Sequence, residues 1–182
     1  QVTWNGTVPA GKSGYPAVPT VLGMATQAGR VTALAAGKSK FTALAKAGTV
    51  THTSVPTAVK ISDEAVATEA EKMIREFQPA LLCVHFPDVD AAGHSQGWGS
   101  PAQLAQIAKT DALVAKVLAA LEQAGGRQST VVLLSACSSA ARARGLKSPR
   151  FPIGVATTHN PLGKTCLLDS LIAAQIINQG HG

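Results

Sequence analysis

The sequence is poor in aromatic residues, in charge and in cysteine, and each scarcity excludes a class of protein. Aromatic residues make up 4% and charged residues 14% of the 182 residues. The three cysteines, Cys83, Cys137 and Cys166, are far apart and form no CxxC pair, which argues against a zinc knuckle or a disulfide framework. No apolar run is long enough to span a membrane. The apolar content of 46% instead predicts a globular domain packed through small side chains.

The net charge of +6 indicates a basic surface or an attraction to anionic partners. The densest basic cluster is "RARGLKSPR", residues 142–150, and it lacks the interleaved aromatic residues of a nucleic-acid stacking surface. We therefore predict no specific nucleic-acid partner. The start "QVTWNG" is not a signal peptide and has no initiator methionine, so we expect a fragment or a processed form. The compartment stays undetermined.

Buried apolar segments alternate with helical ones along the chain. Strands are predicted at 30–37, 80–86 and 129–136, with a β-rich stretch at 49–55, because these segments are short and apolar or rich in β-branched residues. Helices are predicted at 39–48, 62–77, 101–125 and within 166–179, with Ser39, Ser62 and Ser100 as N-caps. This alternation predicts an α/β fold, a three-layer sandwich whose mostly parallel central sheet is flanked by helices. We expect residues 1–182 to be one partial domain.

The stretch "GTVPAGKS", residues 6–13, matches the phosphate-loop signature of nucleotide-binding proteins. Such a loop needs a helix directly after it, because the helix N-terminus supplies the amide donors for the phosphates. Pro16 and Pro19 oppose a helix that begins at Ser13. A phosphate loop centred on Lys12 is therefore only a weak alternative.

A more informative stretch is "VHFPDVDAAGHSQGWGS", which we predict to be a polar loop after a buried strand. Asp90 and His94 lie four residues apart, and Asp88 is a third acid nearby. A carboxylate and an imidazole are common ligands of zinc and similar divalent ions. The alternative is a capped loop in which these residues make ordinary hydrogen bonds. Two ligands alone do not define a metal site.

Residues 81–125, followed by "STVVLLSA", closely resemble the alkaline phosphatase superfamily, in particular its type I phosphodiesterase/nucleotide pyrophosphatase branch. That branch has a strand, a D-x-x-x-H metal motif, a long helix and a strand that ends in S/T-A-D-H-G. The long helix carries a two-residue motif that corresponds to Thr110-Asp111 in this sequence. The resemblance is good over about residues 1–136 and weaker beyond. It implies an alkaline-phosphatase-like fold.

The resemblance implies a metal-dependent hydrolase of small phosphoric esters. Asp90 and His94 match the ligands of one of two metal ions, usually zinc. Asn5, in "VTWN", matches an asparagine that contacts the substrate phosphoryl group. The implied mechanism is attack by a Thr or Ser nucleophile, followed by hydrolysis of a covalent phospho-enzyme. The match places the nucleophile upstream of residue 1, so we expect this chain alone to be inactive or nearly so.

The sequence departs from the branch after Ala136. Cys137 and Ser138 stand where the Asp and His ligands of the second metal belong. The later metal-binding His of the branch has no match near Arg144. His159 is a substitute that nothing else in the sequence supports. Residues 137–160 are thus anomalous. Three interpretations stay open: a degenerate, inactive binding or structural module, one part of a larger or cleaved protein completed by another chain or segment, or a wrongly recorded stretch.

Overall fold

The computed structural model describes residues 14–136, together with the backbone of two strands at 156–157 and 171–178. Asn5, the phosphate-loop signature and His159 lie outside these residues, as does most of the anomalous stretch 137–160. The helices and strands, in chain order, are α1 (Val21–Gln27), β1 (Thr32–Ala36), β2 (His52–Ser54), α2 (Asp63–Phe77), β3 (Leu81–His85), α3 (Asp88–Gln96), α4 (Pro101–Gln123), β4 (Thr130–Ala136), β5 (Ala156–Thr157) and β6 (Leu171–Asn178). Two 3-10 turns, Ser39–Leu44 and Arg127–Ser129, follow β1 and α4.

The described strands form one sheet in the order β2-β1-β3-β6-β4-β5. β2, β1 and β3 pair in parallel, whereas β6 runs antiparallel between β3 and β4. Because β3 and β4 are both antiparallel to β6, four of the six strands point the same way. The predicted α/β sandwich is confirmed: helices flank a mixed sheet whose strands β2, β1 and β3 form a parallel three-strand part.

Apolar side chains on both faces of the sheet form the core. On one face, Ala33 and Leu82 pack with the buried stripes of α2 and α4. On the other face, Leu34 and Leu81 pack against α1 and the 3-10 turn after β1. Alternate residues of β1 and β3 therefore contribute to opposite layers, as the period of a strand requires. The three layers follow directly from the continuous apolar runs in these strands.

Hydroxyl side chains fix the starts of the long helices. Ser62 Oγ accepts from the Ala65 N–H at 3.3 Å, and Ser100 Oγ accepts from the Gln103 N–H at 3.2 Å. Both predicted N-caps are confirmed, and each satisfies a backbone donor that the helix leaves unpaired. Ser39 is the first residue of its 3-10 turn, and Lys38 occupies the cap position instead. No helix within residues 14–136 combines the length and the apolar character needed to cross a membrane.

Three predictions of secondary structure were wrong. The helix expected at 39–48 is a 3-10 turn over Ser39–Leu44. The stretch after β3, expected to be a loop, is helix α3, whose first turn carries Asp88 and Asp90 where acidic side chains favour a helix start. The segment expected to be a helix within 166–179 is strand β6 over Leu171–Asn178. β6 pairs with β3 on one side and β4 on the other, so two ladders of hydrogen bonds override its local helical pattern.

Candidate metal centre

The candidate site lies at the carboxyl ends of β1 and β3. Ala36 and His85 are register partners at the end of these parallel strands, and the Gly37 N–H donates to the His85 carbonyl at 3.2 Å. The chain leaves β1 through Lys38 and leaves β3 through Pro87 into α3. Ligand sites of open α/β sheets occur at this edge.

Helix α3 brings Asp90 and His94 together, one turn apart. Asp90 Oδ1 lies 3.5 Å from His94 Nε2, and the two side chains are 25% and 69% exposed. Residues four apart lie on the same side of a helix, so both donors can approach one ion from solvent. The His94 ring also makes an edge contact with the Trp98 indole, with ring centroids 5.2 Å apart. The predicted pair is thus adjacent and accessible.

The ammonium of Lys38 pairs with the second oxygen of Asp90, Oδ2. Partial burial alone raises the pKa of Asp90, but the hydrogen bond and positive charge of Lys38 outweigh that effect and hold the pKa below its ordinary value. Lys38 lies between β1 and the 3-10 turn that follows it. Its contact with Asp90 spans 52 residues, and no local pattern in the sequence indicates it.

Two glycines allow α3 to lie close to its neighbours. A Cβ at Gly37 would overlap the ring of Pro87 at the start of α3. A Cβ at Gly93 would lie 2.6 Å from the Trp98 ring and from Gln103 Nε2. Both distances are too short for real carbon contacts, so only glycine permits this approach. The position of Asp90 and His94 therefore depends on Gly37 and Gly93.

Asp88, the third acid of the motif, does not join Asp90 and His94. Its Oδ2 accepts from the Asp63 N–H at 2.8 Å, and its Oδ1 pairs with the Lys60 ammonium. These contacts connect α3 to the start of α2. Asp88 therefore has a structural role in this arrangement. For this residue, the alternative of ordinary hydrogen bonds applies.

His85 is a buried titratable group beside the site. Its side chain is 4% exposed, packs on Phe41 with ring centroids 4.2 Å apart, and has no hydrogen-bond partner for Nδ1 among the described residues. Burial, aided by the charges of Lys38 and Lys40, lowers its pKa to about 4. His85 is therefore uncharged near neutral pH. It adds no positive charge beside Asp90, whose cationic partner is Lys38.

The donors present fit part of a metal site. Asp90 and His94 supply the oxygen and nitrogen ligands that zinc accepts. Within residues 14–136, however, no three His, Cys, Asp or Glu side chains form a group that could hold an ion. A catalytic zinc takes three protein ligands, so a zinc site built on this pair would need at least one further ligand from beyond these residues. Cys137, Ser138 and His159 lie there.

The sequence model of the type I phosphodiesterase/nucleotide pyrophosphatase family matches residues 7–137. The match covers more than two thirds of the chain and includes β1, β3, α3 and α4. No curated protein and no solved structure was found to match the chain. The match contains the two α3 residues that the geometry brings together.

Proposed function

The chain belongs to the type I phosphodiesterase/nucleotide pyrophosphatase family, and on that premise we propose that it acts in a metal-dependent hydrolysis of small phosphoric esters. Asp90 and His94 would hold one divalent ion, with zinc as the expected metal. The adjacency of Asp90 Oδ1 and His94 Nε2, 3.5 Å apart at the carboxyl edge of the sheet, supports this proposal. Family membership supports the reaction class.

A bound divalent ion would supply Lewis-acid polarisation of a phosphoryl oxygen. The residues of this chain have distinct parts in the proposal. Asp90 and His94 bind and orient the ion, while Lys38 adds positive charge at the same edge, where it favours an anionic ester. Asn5 would contact the phosphoryl group. The hydroxyl nucleophile that carries the phospho-enzyme would lie outside the 182 residues, as the resemblance implies, and the second set of metal ligands would come from beyond residues 14–136.

Metal binding tests the proposal most simply. We expect the purified chain to bind zinc at one ion per chain in equilibrium dialysis. His94→Ala and Asp90→Asn should each weaken this binding, because each removes a ligand. His52→Ala and Asp111→Asn serve as matched controls, since His52 stacks on Phe77 in the structure and Asp111 is exposed on α4. Equal zinc affinity in all four variants would contradict the proposed ligands.

Activity is a separate expectation. A chromogenic phosphodiester with zinc added should be hydrolysed slowly or not at all by the 182-residue chain alone. Turnover at a rate typical of a complete enzyme would show that the chain carries its own nucleophile, against the proposal.

A second candidate is a catalytically inactive binding or structural module of the same fold. The observation in its favour is that Lys38, rather than a third ligand, contacts Asp90 within the described residues. Absence of stoichiometric zinc would favour this candidate. The phosphate-loop alternative has less support, since the first described helix begins only at Val21. Unchanged nucleotide affinity in Lys12→Ala would remove it.

A further inference from the structure

Asp63 lies at a buried junction of three helices. It is the first residue of α2 and is 0% exposed. Its Oδ1 accepts from the Asp88 N–H in α3 at 2.9 Å, and its Oδ2 accepts from the Thr110 hydroxyl in α4. A buried carboxylate is costly unless its oxygens are hydrogen-bonded, so these contacts explain how Asp63 is tolerated inside the domain.

The contact between Asp63 and Asp88 is reciprocal. Each residue's N–H donates to the other's carboxylate, at 2.8 and 2.9 Å. Two parallel hydrogen bonds fix the start of α3 against the start of α2 in both distance and orientation. Thr110, which is 0% exposed, connects α4 to this junction through its bond to Asp63. Gln106 Nε2 in turn contacts the Thr110 hydroxyl at 3.4 Å.

Helix α3 has few apolar contacts. Of its nine residues, only Val89 and Gly93 are buried, and a short helix with few apolar contacts is not stable by itself. Its position is therefore set by polar contacts of its first three residues and by the close approach of Gly93 to α4. Asp88 bonds to Asp63 and Lys60, the Val89 carbonyl accepts from Gln103 Nε2 at 3.4 Å, and Asp90 pairs with Lys38. Asp90 lies two residues after Asp88, so a shift of the helix start moves the metal-ligand pair directly.

We infer that Asp63, held by Thr110, is a positioning residue for the Asp90–His94 pair. It fixes the start of α3, and with it the position of the Asp90–His94 pair relative to Lys38 and to the carboxyl edge of the sheet. This inference rests on the proposed metal-binding function and extends it to two residues that touch neither the metal nor the substrate. A group hydrogen-bonded directly to a metal ligand typically contributes 10- to 100-fold in metal affinity. Asp63 and Thr110 act one contact further away, so we expect an effect at the lower end of that range.

Thr110→Val tests the inference, because valine keeps the volume of threonine and removes the hydroxyl donor. We expect this variant to bind cobalt(II) about tenfold more weakly, and its α3 amides to exchange with deuterium faster while those of β1 and β3 stay unchanged. Thr110→Ser restores the hydroxyl and should recover both properties. Thr68→Val is the control, since the Thr68 hydroxyl bonds only to Glu64 in its own helix among the contacts described.

Asp63→Asn is the second variant, in case Thr110→Val does not fold. Its carboxamide can still accept from Asp88, but an amide nitrogen placed opposite Thr110 cannot accept the hydroxyl proton. Unchanged cobalt affinity in folded Thr110→Val or Asp63→Asn would overturn the inference. If the wild-type chain binds no cobalt, the proposed function fails, and deuterium exchange of the α3 amides alone tests the inference. Faster exchange in these variants than in wild type supports the inference, and equal exchange overturns it.

Discussion

His85 should make the stability of the domain depend on pH. The group is 4% exposed beside Phe41, and its pKa lies at about 4 in the folded chain against an ordinary value of 6.5. Between these two values the unfolded chain binds a proton that the folded chain does not. The free energy of unfolding therefore falls as the pH falls from about 6.5 to about 4, and is fully regained above 6.5.

The size of the effect follows from the two pKa values. The interval between 6.5 and about 4, at about 1.4 kcal/mol for each pH unit, corresponds to about 3 kcal/mol. That is a large part of the 5–15 kcal/mol typical of a folded domain. Asp63 acts in the opposite direction, because burial raises its pKa and the folded chain then holds its proton more tightly. Wild type and a variant of His85 both contain Asp63, so its contribution cancels in the difference between their free energies of unfolding.

Urea unfolding from about pH 7 down to about pH 4 measures the effect. His85→Leu has a similar volume and cannot titrate, so the difference in stability between wild type and this variant should change by about 3 kcal/mol across the range. Val84→Ala is the control, since it removes buried volume from the same strand and no titratable group, and its difference in stability from wild type should stay constant with pH. A constant difference between wild type and His85→Leu would refute the placement of a neutral histidine in the core.

Two further substitutions test the geometry around α3. Gly93→Ala should lower the free energy of unfolding by about 1–3 kcal/mol, because the new methyl group would overlap the Trp98 ring; wild-type stability in urea would contradict the close approach. Lys38→Met should tighten zinc binding by up to about fivefold, since it frees Asp90 from a partly exposed ion pair worth at most about 1 kcal/mol. Lys40→Met should change the affinity less, and unchanged or weaker binding in Lys38→Met would show that Lys38 does not compete with the metal.

Most of the fold could be predicted from local patterns. The strands at 30–37, 80–86 and 129–136 are short apolar runs, and the helices that begin after Ser62 and Ser100 have clear caps, so both classes follow from sequence alone. Helix α3 could not be predicted in this way. Its glycine and polar residues are typical of a loop. The helix is stabilised by tertiary contacts, with α2 at a separation of 25 residues and with the neighbouring α4.

The candidate site was predictable only where its residues are close in sequence. The spacing of Asp90 and His94 indicated a pair of ligands, and the structure places them one helical turn apart. Lys38 reaches Asp90 across 52 residues, and Thr110 reaches Asp63 across 47. Such pairs depend on how the helices pack, and a single sequence carries no local signal for them.

The central claim is that Asp90 and His94 hold a divalent metal, and anomalous scattering tests it most directly. Crystals of the chain grown with zinc should show an anomalous difference peak at the zinc edge within coordination distance of Asp90 and His94, about 2.0–2.2 Å. In the same crystals Lys38 should no longer contact Asp90. A structure at comparable zinc concentration with no peak at this pair, and with the Lys38–Asp90 contact intact, would contradict the account.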